Sequence, residues 1–319
     1  MKTNKVTRAA AVMCALAAWA SQALAVAPAP AFDAQQLLSD VRTLASPAFD
    51  GRRTGTPGSL KAQQYLEQRL RATGIQPLGD TFVQAFSFMR PEGKEGQHVR
   101  QYTGAVNLLG IVRGSKAPDR YIVLSAHYDH LGHHRGRLHP GADDNASGVA
   151  VVLAAARWFR EHRPQHSIVF ALFDGEEMGL QGAKHFVKSM PLPKEKVIAN
   201  LNFDMVSRND KGEINVAGTS YTPALRAVVE QAAKRSGLKV SFGHDQPKAL
   251  TRVDDWTGSS DHGAFHDAGI PFLYFGVEDH ADYHGPGDTF ENITPEFFRK
   301  AAQFGLDTAA ALDRTGVAR

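Results

Sequence analysis

The chain has 319 residues, 43% of them hydrophobic, with 36 Lys+Arg against 33 Asp+Glu, which is enough apolar content for one large core. Lys2, Lys5 and Arg8 lie in the first 25 residues, which hold no acid, so the remainder balances at 33 against 33 and shows no basic footprint for nucleic acid. The single cysteine, Cys14, lies there too, so the rest of the chain forms no disulfide, uses no thiolate, and can hold a metal only through His, Asp and Glu.

Residues 1–25 read as a secretory leader. They have a basic start, an apolar run from Ala9 to Ala20 that is short for a bilayer span, and Ala23-Leu24-Ala25 as a small-x-small cleavage site. Cleavage after Ala25 predicts export to the periplasm or the medium, with no membrane attachment afterwards. Residues 26–32 form a Pro/Ala linker, and residues 33–319 form one domain without repeats.

Within that domain, Asp33 caps a helix that places Leu37, Leu38, Val41 and Leu44 on one face. A loop follows from Ser46 to Thr56, and Thr56-Pro57 opens a second helix that ends at Gly74. Thr81–Met89, Ala105–Arg113 and Arg120–His127 are predicted strands, and Arg90–Arg100 is a hairpin-like excursion between the first two. Val149–Phe159 is apolar almost all round, which predicts a buried helix. Next come a strand Ser167–Phe173, a helix Gly182–Met190, a strand Val197–Met205, extended Ile214–Ala217, a helix Pro223–Ser236 closed by Gly237, and extended Lys239–Phe242. A helix Ser259–Ala268, a strand Pro271–Gly276, a loop Tyr283–Thr289 and a last helix opened by Thr294-Pro295 complete the chain. The alternation predicts an α/β fold with a mixed, mainly parallel β-sheet sandwiched between helices.

Just after the apolar strands stand His127, Asp144, Glu176, Glu177, Asp204 and His284, each near a strand end where ligands collect in an open α/β sheet. Imidazole and carboxylate donors without thiolate suit zinc, with manganese or cobalt as substitutes. Three carboxylates against two dications leave a net positive charge that favours a bound hydroxide near neutral pH.

The motifs His127-x-Asp129, Gly141-Ala142-Asp143-Asp144-Asn145-x-Ser147-Gly148, Asp174-Gly175-Glu176-Glu177, Asn202-Phe203-Asp204-Met205, Ser260-Asp261-His262 and Tyr283-His284-x-Pro286-x-Asp288-Thr289 stand in one order. In that order they resemble the dinuclear zinc aminopeptidases of peptidase family M28, over roughly Asp33 to the C-terminus. The resemblance implies two zinc ions per chain. Asp144 would bridge them, His127 and Asp204 would complete one site, and Glu177 and His284 the other. It further implies Glu176 as general base to a bridging hydroxide, Tyr283 as donor to the oxyanion, and a cis peptide between Asp144 and Asn145. Asp129, read as lying on the same strand face as His127, would accept the imidazole N–H. The substrates implied are peptides with a free N-terminus. A carboxypeptidase of the same fold and a one-zinc glutaminyl-cyclase-like acyltransferase are the alternatives, and no oligomeric state follows from the sequence.

His130, His133, His134 and His139 share one loop without the fixed spacing of a further metal site, and Ser260-Asp261-His262 is too local to form a catalytic triad. Arg52 and Arg53 read as loop anchors, and Arg252 and Trp256 as candidates for the pocket wall. Gly285 and Gly287 depart from the commonest loop of the family and predict a more open pocket beside His284. Arg90–Gly104 is too short to hold the protease-associated insert of many relatives.

Overall fold

The computed structural model describes residues 32–92 and 98–316, so the expected leader 1–25, and the linker up to its last residue, lie outside the described residues. The helices are α1 (Ala34–Leu44), α2 (Pro57–Thr73), α3 (Gly148–Glu161), α4 (Gln181–Lys188), α5 (Pro223–Ser236), α6 (Lys248–Thr251), α7 (His262–Asp267) and α8 (Pro295–Thr315). The strands are β1 (Gln76–Pro77), β2 (Val83–Glu92), β3 (His98–Val112), β4 (Ala117–His127), β5 (Gly132–His134), β6 (Arg137–His139), β7 (His166–Phe173), β8 (Val197–Phe203), β9 (Glu213–Ala217), β10 (Lys239–Phe242) and β11 (Phe272–Gly276). Local chemistry sets the ends of α1 and α2. The Asp33 carboxylate accepts from the backbone N–H of Gln35 and Gln36, Thr56 accepts from Ser59, and Gly74 closes α2 in the left-handed region at φ 75°.

The main sheet runs β1-β3-β7-β4-β8-β11-β9-β10, with β2 also paired to β3. Its four central strands, β7-β4-β8-β11, are parallel throughout. Towards the edges, β3 against β7, β9 against β11, and both β1 and β2 against β3 are antiparallel. The sheet is therefore mixed as expected: its centre is parallel, β10 at the far edge pairs parallel with β9, and the β2–β3 hairpin makes the opposite edge antiparallel. That hairpin absorbs the Arg90–Arg100 excursion: β2 continues to Glu92 and β3 already begins at His98, seven residues before the predicted strand start.

Alternation along the central strands divides the apolar residues between two cores. Ile122, Leu124 and Ala126 of β4, with Ile168, Phe170 and Leu172 of β7, pack with residues of α1, α2, α3 and α8. Val123 of β4 and Val169, Ala171 and Phe173 of β7 face the opposite side, with Ala183 and Phe186 of α4 and Ala264 and Phe265 of α7. A strand buried on both faces reads as a continuous apolar run, as β7 does. On this second side the sheet also carries a polar chain. Asn200 donates to the Ser125 hydroxyl (2.8 Å), Ser125 donates to Asn202 (2.7 Å), and Asn202 donates to Ser260 (2.9 Å).

Since the four central strands are parallel, their C-terminal ends lie on one edge: His127, Phe173, Phe203 and Gly276. The segments that leave that edge carry the predicted ligands. The loop after β4 returns as α3, pressed so closely on β8 that a Cβ at Gly148 would stand 2.2 Å from the Phe203 carbonyl oxygen. Two expectations change here. The short β5–β6 hairpin falls inside the stretch read only as a histidine-rich loop, and α7 begins at His262 rather than Ser259, the residues before it forming tighter turns in which Ser259 N–H bonds to the Trp256 carbonyl and Gly263 N–H to the Ser260 carbonyl.

Candidate metal centre

Each functional side chain is placed by a strand end and then locked by its neighbours. His127 closes β4, and its ring is buried with Nε2 3.3 Å from Asp144 Oδ1 and 3.3 Å from Asp204 Oδ1. Asp204 follows β8, where its backbone N–H donates to the Phe275 carbonyl. His284 lies on the loop after β11, with Nε2 3.1 Å from Asp144 Oδ2 and 3.4 Å from Glu177 Oε2. The two oxygens of Asp144 thus face two different donor clusters.

The loop that delivers Asp144 is held from all sides. Asp288 accepts from the backbone N–H of Asp143 (2.8 Å) and of Asp144 (3.0 Å). Asn145 donates to the Phe203 carbonyl and accepts from the Gly148 N–H, both at 2.9 Å. The Asp144–Asn145 peptide is cis. Asp143 does not face the clusters: its Oδ1 accepts from Ser207 N–H (2.7 Å) and hydroxyl (2.8 Å), while its Oδ2 lies 3.1 Å from His280 Nε2.

Glu176 and Glu177 follow β7 in a tight turn in which Gly175 takes φ 72°. Glu177 points between the imidazoles, and Glu176, partly exposed, stands on the wall of a cavity of about 650 Å³. His127, Asp144, Glu177, Asp204, Tyr283 and His284 line that cavity as well. The Tyr283 ring stacks on His284 at 4.0 Å between centroids. Trp256 forms another part of the wall, whereas Arg252 is exposed and outside the cavity lining.

Asp129 departs from its expected position. It lies beyond the end of β4, and the nearest atom to His127 Nδ1 is its backbone carbonyl (3.2 Å), with the carboxylate 3.7 Å away. The carboxylate instead accepts from Glu176 N–H (3.0 Å) and has the Thr54 hydroxyl oxygen 3.2 Å away, so it fixes the turn that carries the glutamates. Thr54 also lies 2.7 Å from Asp174 Oδ1, to which it offers its hydroxyl, and so ties the N-terminal loop to β7. Arg52 is fully buried and donates to the carbonyls of Leu44, Tyr128, Pro140 and Gly141, at 2.7–2.8 Å. Arg53 packs its side chain over Gly132.

Sequence reasoning missed one residue that the structure brings to the clusters. His130 is buried, with Nδ1 2.7 Å from Glu177 Oε1 and 3.6 Å from Asp144 Oδ2. The signal present was its place three residues after His127, hidden among the neighbouring histidines. Among the described residues, two groups of three donor residues have ligand atoms within 4.8 Å of one another: His127, Asp144 and Asp204, and His130, Asp144 and Glu177.

The electrostatics suit a cation. Burial raises Glu177 to about 7 and Asp261 to about 8, and it holds Glu176 well above the usual range with the charge of Asp204 adding to it. Burial lowers His130 to about 3, so this ring is neutral. For His127, burial acts downward, but Asp204 and Glu176 carry it well above its ordinary value. So many acids held close together and largely buried keep protons or take up metal, and the nitrogen and oxygen donor set fits zinc.

A pH test follows. A carboxyl group with a raised pKa in the fold contributes stability that is complete below its unfolded value and is lost as pH rises through the folded one. The raised His127 and His284 behave alike, complete below 6.5 and lost above. The lowered His130 and His262 lose their contribution only below 6.5. Chelator-treated protein should therefore melt at progressively lower temperature from about pH 6.5 to about pH 8, where Asp261 titrates, while zinc raises the melting temperature more at the upper end. Calorimetry with and without chelator checks this, and parallel pH profiles would contradict it.

The chain matches the model of peptidase family M28 over residues 107–309. It is 28% identical over 276 residues to a probable zinc metalloprotease of Pyrenophora tritici-repentis, covering 76% of this chain and 61% of that protein. It is 30% identical over 225 residues to aminopeptidase YwaD of Bacillus subtilis, covering 65% and 44%. The chain thus spans less than two thirds of the length of these relatives. By fold it resembles a zinc aminopeptidase from Bacillus subtilis, with a TM-score of 0.69, 18% identity, and 88% and 95% of the two chains covered. It also resembles the glutaminyl cyclase of Bacteroides thetaiotaomicron, with a TM-score of 0.69, 20% identity, and 88% and 98% covered.

Proposed function

The chain belongs to peptidase family M28, and from this premise we propose that it is an exported aminopeptidase that uses two zinc ions to release N-terminal residues from peptides. The observation that carries the reading is Asp144, which turns Oδ1 to His127 and Oδ2 to His284 and can therefore serve two ions at once. His127, Asp144 and Asp204 would hold one ion, and Asp144, Glu177 and His284 the other. When bound, the ions supply positive charge that polarises a scissile carbonyl and makes a water more acidic.

The chain's own groups do the rest. Glu176 belongs to neither cluster and faces the cavity, so its carboxylate is free to take a proton from the attacking water and return it to the leaving amine. Asp129 positions it through the Glu176 backbone N–H. The Tyr283 hydroxyl donates to the developing oxyanion, and Asp204 and Glu176 provide negative charge for the substrate's free ammonium. The pair His127 and Asp204 argues against a one-zinc cyclase, which has no need of that complete cluster. Among the described residues no helix is long and apolar enough to cross a membrane.

A panel of aminoacyl amides, free peptides, N-blocked peptides and peptides with N-terminal glutamine tests the reading. Zinc-dependent release from free N-termini is expected. Release of C-terminal residues from blocked peptides, or ring closure of glutamine without hydrolysis, would overturn it.

A further inference from the structure

We propose that His130 is a protein ligand of the second metal ion, joining Asp144, Glu177 and His284, so that the two metal sites of this chain are unequal. The inference deepens the two-zinc reading and rests on it.

Neither ring nitrogen of His130 makes a hydrogen bond, and neither does Glu177 Oε1, although Nδ1 and Oε1 stand only 2.7 Å apart. At that separation a bond would form if the N–H pointed along the line between them, so the two atoms are close without being donor and acceptor. Ligands of one ion have this relation. Neighbouring donors on a tetrahedral zinc ion lie about 3.3 Å apart at ordinary bond lengths. The pairs around this point are 2.7 and 3.6 Å from His130 Nδ1, and 3.1 and 3.4 Å from His284 Nε2.

The position of the ring is specified by its surroundings. It packs against Gly141, where a Cβ would lie 2.6 Å from its Cγ and Cδ2, and Gly141 takes φ 63°. The loop that carries Asp144 therefore makes room for this imidazole. A histidine buried only for packing would present carbon, not nitrogen, to two carboxylates that themselves need a counter-charge.

Four protein donors would enclose the second ion, as at structural zinc sites, and three would leave the first ion an open position, as at catalytic ones. The second ion should then be the one retained when a weak chelator removes the first.

The deciding measurement uses full-length protein labelled with ¹⁵N-histidine and loaded with ¹¹³Cd, and asks which imidazoles show cadmium–nitrogen coupling. Coupling from His127, His284 and His130 supports the proposal. Coupling from His127 and His284 alone overturns it and leaves the two-metal reading intact, whereas no coupled imidazole overturns both. A His130→Gln variant supplies a second readout. Glutamine keeps an N–H donor, so a ring that merely oriented Glu177 would be replaced with little loss, while loss of a ligand should weaken the more tightly held ion at least ~10²-fold. Unchanged affinity of that ion in a folded variant overturns the proposal.

Discussion

Exchanging Glu176 for glutamine should lower kcat at least ~10²-fold while the protein still binds two zinc ions and KM changes little. Glutamine is close in shape to glutamate and leaves the backbone N–H on Asp129 undisturbed, so the turn that delivers Glu177 stays in place. What is lost is a basic oxygen facing the cavity. Burial, with the charge of Asp204 adding to it, raises this acid in the metal-free protein, so the carboxylate form that takes a proton depends on the positive charge the two clusters would hold. Steady-state kinetics beside metal analysis of the same sample decide the matter, and near-normal turnover would remove Glu176 from the role of base.

Asp144→Asn is expected to abolish activity and to reduce metal content from two ions per chain to below one. The two carboxylate oxygens stand 3.3 Å from His127 Nε2 and 3.1 Å from His284 Nε2, so replacing one by an amide nitrogen removes a donor from one cluster and the negative charge from both. The backbone N–H of residue 144 remains on Asp288, so the variant should fold. Two ions retained at wild-type affinity would show that Asp144 does not bridge them.

The sequence was most informative where one strand delivers one residue. His127, Asp204 and the Glu176-Glu177 pair follow apolar runs directly, and parallel pairing of β4, β7 and β8 then carries them to one edge without further specification. Position was harder to read beyond strand ends. Asp129 looked like a carboxylate partner for His127 because alternate residues of a strand share a face, but β4 stops at His127 and the irregular segment beyond it aims the carboxylate at Glu176 N–H. His130 sits in the same irregular segment, and no periodicity could tell that it faces Glu177 while His133 lies 2.7 Å from Asp50 at the surface. Likewise the Ser259–Ala268 pattern could not show that its first residues form tight turns, with the Ser260 hydroxyl bonded to the distant Asn202.

Arg52 gathers four carbonyl groups, two of them from Pro140 and Gly141 at the start of the Asp144 loop, and Thr54 reaches both Asp129 and Asp174. Both residues precede residue 107, where the family match begins. A fragment trimmed to the matched span would keep every donor of the two clusters yet strand those carbonyls in the interior with nothing to answer them. The smallest working unit of this protein accordingly reaches back through the helices that precede its sheet.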